Sequence, residues 1–173
     1  MSTLVIHPAD ASTDVLKPIY EGKDWQVINT PTRPHNIRDA IIDHDRIIML
    51  GHGDPNGLHG YGGYVINYMY VPFLKEKQVA IVWCNSDKFV LKHDLRGFYT
   101  GMIISEVGEA NYCLPKGIAF TPEDVTFSNL QFADAIKQAI DSPNMLSDVL
   151  DKYYHCADDN NIVKYNRERI YFR

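Results

Sequence analysis

Short, wholly apolar runs alternate along the chain with longer stretches in which apolar residues recur every three or four positions. Leu4-Val5-Ile6, Ile47-Ile48-Met49-Leu50 and Val79-Ala80-Ile81-Val82-Trp83 are continuous, the pattern of strands buried on both faces of a parallel sheet. Residues 25–29 add a strand closed by Thr30-Pro31. A short helix is expected over residues 14–20, capped by Asp14 and limited by Pro18. Ile37, Ala40 and Ile41 form one helical stripe behind a cap at Asn36, and a further helix is expected over residues 67–77. Residues 97–108, with Phe98, Met102, Ile103 and Val107, predict a largely buried helix. Ser128 and Pro143-Asn144 open two amphipathic helices, the first carrying Phe132 and Ile136, the second Leu146, Val149 and Leu150. Later strands are expected over residues 111–120 and 169–172, with the alternating charges of residues 164–169 facing solvent along an edge strand. Alternation of this kind predicts an α/β fold, a three-layer sandwich with a mainly parallel sheet, in one domain spanning residues 1–173.

Composition narrows the partners. The 173 residues are 45% hydrophobic and 23% charged, which fits a globular domain and excludes a disordered or fibrous one. Acidic residues outnumber basic ones, 22 to 17, for a formal charge of -5. That balance lacks the basic footprint of a nucleic-acid binder. No apolar run reaches the roughly 20 residues of a membrane helix, and the opening Leu4-Val5-Ile6, which no basic residue precedes, reads as a strand and not a signal peptide. Cys84, Cys113 and Cys156 have no paired spacing, so reduced thiols in the cytoplasm are expected, without structural zinc.

Open parallel sheets place their chemistry at the carboxyl ends of the strands. Two ends stand out: the third strand runs into Gly51-His52-Gly53, and the fourth into Cys84-Asn85-Ser86-Asp87. If these strands are neighbours, an imidazole and a thiol share one edge of the sheet. A thiol needs such a base to become a nucleophile. Acyl transfer also needs amide donors for the oxyanion, for which Gly53 and the Cys84 amide are the natural candidates. Cys113 and Cys156 lack this placement and read as packing or inert thiols.

This succession, a strand with His52-Gly53 at its end and the next strand ending in Cys84-Asn85-Ser86, resembles the caspase-like (clan CD) cysteine peptidases. These include caspases, legumain, gingipains, separase and the bacterial CHAT domains, and the Cys-Asn-Ser continuation is most similar to the CHAT-like members. The resemblance covers roughly residues 1–120 and implies a caspase-like, Rossmann-like topology. It also implies His52 as general base and acid, Cys84 as the nucleophile that forms a thioester, and Gly53 as oxyanion donor. Asp54, His59, Asn85, Ser86 and Asp87 are expected to contact a peptide or protein substrate, with no cofactor. The Gln-Ala-Cys-Arg-Gly signature of caspases is absent, since Trp83 and Asn85 flank Cys84, so a preference for aspartate does not carry over.

Other readings remain open. The same fold could hold a peptide or partner without turnover. A metal-dependent hydrolase could draw on His52, Asp54 and His59, joined by His93 and Asp94, although no helical register converges them. The glycines of residues 51–63 lack the spacing of a nucleotide loop. Asp87 and Glu106 could floor a pocket for a basic side chain. A C-terminal edge strand suits a homo-oligomer.

Overall fold

A computed structural model describes residues 1–154 and 160–173; Cys156 lies outside them. The strands in chain order are β1 (Thr3–Ile6), β2 (Gln26–Ile28), β3 (Arg46–Leu50), β4 (Gly53–Asp54), β5 (Gly57–Gly60), β6 (Gly63–Ile66), β7 (Gln78–Val82), β8 (Gly97–Thr100) and β9 (Ile170–Phe172). The main sheet runs β2-β1-β3-β7-β8-β9. Its first five strands are parallel, and β9 pairs antiparallel with β8. The helices are α1 (Pro34–Asp43), α2 (Val71–Leu74), α3 (Ser86–His93), α4 (Val107–Cys113), α5 (Pro122–Ala139), α6 (Met145–Tyr154) and α7 (Asn161–Arg167).

Alternating strand residues feed two cores. Leu4, Ile6, Ile47, Met49, Val79 and Ile81 pack beneath α1, α2 and α3 through Ile41, Leu74 and Phe89. Val5, Ile48, Leu50, Ala80, Val82 and Phe98 face the other way, against Phe132 and Ile136 of α5 and Val149 and Tyr153 of α6. The chain is therefore a three-layer α/β sandwich with a mainly parallel central sheet. The strand order reverses between β1 and β3, and at such a switch point the loops leaving the two strands open a crevice.

Several elements differ from expectation for local reasons. The segment after β1 is a 3-10 helix over Ala11–Ile19 capped by Asp10, which accepts from the Ser12 N–H; Asp14 lies inside it. Arg33 precedes α1, with Pro34 in its first turn in place of a cap at Asn36. The helix expected over residues 67–77 is a 3-10 turn, Tyr68–Tyr70, continued by the four residues of α2. Residues 97–100 are strand β8, buried throughout. A short run buried on every side carries no period to distinguish strand from helix. The strand expected at 111–120 is instead the end of α4 and irregular chain. The charged run at 164–169 is mostly α7, while the expected C-terminal edge strand is β9. The glycine-rich loop folds as a three-stranded antiparallel sheet, β4-β5-β6. No helix among the described residues is long and apolar enough to cross a membrane.

Candidate active site

Strands β3 and β7 are hydrogen-bonded neighbours, with Leu50 opposite Val82. One further bond, from the Gly51 N–H to the Val82 carbonyl at 3.1 Å, extends their register past the strand ends. His52 and Cys84 consequently line the same crevice, about 30 Å³ in volume, whose polar wall is Ser12, Thr13, Ser105 and Asn129. That space holds about one water molecule, so a substrate would lie across its mouth.

Trp83 clamps the histidine turn onto the cysteine strand. Its buried indole donates from Nε1 to the Asp54 carbonyl at 3.1 Å, and Gly53 sits close against the ring: a Cβ at Gly53 would stand 2.3 Å from Trp83 Cδ1. His59 N–H donates to the His52 carbonyl, and Gly53 stands opposite Leu58 at the next position. Alternation along an antiparallel pair then directs the Gly53 N–H away from β5, at the open edge of β4.

The Cys84 thiol and the His52 imidazole do not hydrogen-bond each other. The Cys84 thiol points to the Ile103 carbonyl at 3.7 Å and to Glu109 Oε1 at 3.9 Å. Burial, and then the Glu109 carboxylate, push this thiol up to about 12, so its resting form is neutral. Glu109 is itself held in place, its other oxygen accepting from the Ser105 N–H and hydroxyl and from the Glu106 N–H. His52 Nε2 instead meets the Ser12 hydroxyl at 2.7 Å.

The five residues expected to contact substrate lie outside this crevice. Asp54 accepts from the Tyr64 hydroxyl at 2.7 Å and the Asn56 N–H at 2.6 Å, and pairs with His59 Nε2 at 3.2 Å. Burial opposes the charged form of Asp54, but these bonds outweigh it and hold the carboxyl below its ordinary range. Asn85, in the left-handed region at φ 65°, accepts from Lys88 Nζ. Ser86 is fully buried and staples α3 to β8, donating to the Thr100 carbonyl at 2.6 Å and accepting from the Thr100 N–H at 3.0 Å. Asp87, half-buried, sits on α3, and Glu106 is exposed at the start of α4. They do not form the floor of the crevice. His93 stacks edge-on against Phe89, and among the described residues no three His, Cys, Asp or Glu side chains converge as metal ligands. Cys113, half-buried, packs against the Ile104 and Ala110 cluster.

Asp10, Ser12 and Glu109 join the site without any signal of it in the motifs around His52 and Cys84. The first two follow β1 as Asp-Ala-Ser, a local capping pattern whose position at the sheet edge was readable. The meeting of Ser12 with His52 across 40 residues was not. A much larger cavity, about 430 Å³, opens at the opposite end of the sheet beside Arg46, Lys77, Arg96 and Arg173. Three of those cations already have partners: Arg46 with Asp141, Lys77 with the Ile42 carbonyl, and Arg173 with Asp94.

No protein-family model and no curated protein matches the chain. Among solved structures, it is similar to the Trp repressor binding protein from Bacillus subtilis at 11% identity and a TM-score of 0.46, over 83% of this chain and 100% of that one.

Proposed function

We propose that this protein is a cysteine-dependent hydrolase of peptide bonds, of the caspase-like kind, with Cys84 as nucleophile and His52 as general base and acid. The observation that carries the reading is the shared crevice at the carboxyl ends of two adjacent parallel strands. The resting thiol is neutral, so the proton moves from sulfur to imidazole as sulfur attacks the substrate carbonyl, without a standing thiolate. The oxyanion takes the Gly53 N–H, the imidazolium returns its proton to the leaving amine, and water then cleaves the thioester with His52 as base. The reaction needs a reduced thiol, which fits the cytoplasm, and β9, the last strand of the sheet among the described residues, could pair with a second copy.

A second reading, a partner-binding domain without turnover, is favoured by one observation: Glu109 sits 3.9 Å from the sulfur, where it opposes a thiolate. Labelling with a peptidyl acyloxymethyl ketone separates the two. A hydrolase takes the label at Cys84 in preference to Cys113 and Cys156, and loses it in His52→Ala. Equal labelling of the thiols, or an unchanged rate in His52→Ala, refutes the hydrolase.

A further inference from the structure

We propose that Asp10 and Ser12 are positioning residues that fix His52 as the tautomer protonated at Nε2, leaving Nδ1 as the nitrogen that exchanges protons. A count of protons decides the tautomer. Ser12 Oγ stands 2.7 Å from Asp10 Oδ1 and 2.7 Å from His52 Nε2, yet the hydroxyl carries one hydrogen. Asp10 also accepts from the Ser12 N–H at 3.0 Å, and the two bonds from Ser12 hold its carboxyl below the ordinary range. An ionised carboxylate only accepts, so the hydroxyl hydrogen lies toward Asp10. Ser12 Oγ can then meet the ring only as an acceptor, and the Nε2 must carry the donated hydrogen. His52 Nδ1 has no hydrogen-bond partner among the described residues, so its lone pair is open.

A second layer fixes the segment that carries Ser12. Thr13 Oγ1 donates to the Asp10 carbonyl at 3.1 Å and therefore accepts from His7 Nε2 at 3.0 Å. His7 Nδ1 in turn accepts from the Tyr20 hydroxyl at 3.1 Å. Burial pulls His7 down to about 4, so this ring stays neutral and keeps its tautomer. The loops that leave β1 and β3 flank the point where the strand order reverses, and Ser12 bridges them there.

The catalytic consequence rests on the proposed Cys84 and His52 chemistry, but the tautomer can be read without it. Long-range nitrogen-15 correlation spectra of the His52 ring report which nitrogen bears the hydrogen. The expected result in the wild type is a single form, protonated at Nε2, retained in Ser12→Thr. In Ser12→Ala and Asp10→Ala that single pattern is lost to averaging between tautomers. Labelling of Cys84 falls about tenfold in Ser12→Ala, since a misdirected base is a poor one, and recovers in Ser12→Thr. A wild-type ring protonated at Nδ1, or spectra unchanged in Ser12→Ala, overturns the proposal. A fixed tautomer combined with labelling indifferent to His52→Ala overturns the hydrolase reading and leaves the tautomer assignment standing.

Discussion

The sharpest perturbation available at the crevice is Glu109→Gln, which removes a charge and keeps an acceptor. The Cys84 thiol is lifted from an ordinary 9.0 to about 12, on the order of 4 kcal/mol against the thiolate. Burial is the larger cause and Glu109 the second. A bare Coulomb estimate at 3.9 Å and an effective dielectric of about 20 gives about 4 kcal/mol, which is an upper bound. A contribution of about 1.4 kcal/mol, well inside that bound, corresponds to about tenfold more thiolate at a fixed pH. A less basic sulfur is also a weaker nucleophile, which trims the gain in alkylation to about threefold or fourfold. The assay is the iodoacetamide rate at Cys84 at pH 8, read by peptide mass spectrometry with Cys113 as internal reference. The amide oxygen that Glu109→Gln introduces can still accept from the Ser105 and Glu106 N–H groups, so the melting temperature should change little. If Cys84 reacts no faster while Cys113 is unchanged, the carboxylate does not hold the thiol neutral, and the electrostatic account of the resting site is wrong.

Two further outcomes follow from the packing around the crevice. In Gly53→Ala the new methyl would meet Trp83 Cδ1 at 2.3 Å and the Gly57 carbonyl at 2.6 Å. The variant should lose at least about 2 kcal/mol in urea unfolding, and under the proposed chemistry its Cys84 labelling no longer responds to His52→Ala; a stability within error of wild type would show that the turn does not lie on the indole. The buried His7 makes stability depend on pH in a defined direction. Its native value of about 4 lies below the ordinary 6.5, so the unfolded chain binds the proton first. This contribution is fully present above pH 6.5 and fades as pH falls to 4, by about 3 kcal/mol in all. Urea midpoints from pH 7 to 4 should show that extra slope in the wild type and not in His7→Gln; parallel slopes would contradict a neutral buried ring.

What could be read from the sequence follows which forces are local. Ile47-Ile48-Met49-Leu50 and Val79-Ala80-Ile81-Val82 are legible as central strands because every residue is buried, and only apolar side chains tolerate that position. Residues 97–100 are buried in the same way but include Gly97 and the polar Thr100, and the nearby Met102, Ile103 and Val107 supply a helical spacing by coincidence. Helix α3 was hidden for the opposite reason: Phe89 and Val90 are its apolar anchors among Asp87, Lys88, Lys92 and His93. At the site, His52 and Cys84 could be placed together because strand neighbours inherit their register from backbone pairing. Side-chain partners have no such rule. Ser86 follows Cys84 by two residues, but helix α3 turns its hydroxyl inward to Thr100. Ser12 stands 40 residues before His52, but the reversal of strand order brings its hydroxyl to the imidazole. Sequence proximity to a reactive residue is thus a poor guide to its contacts wherever a helix begins immediately after a strand. The better guide is the set of loops that leave the same end of the sheet, and in this protein that set points to the segment after β1.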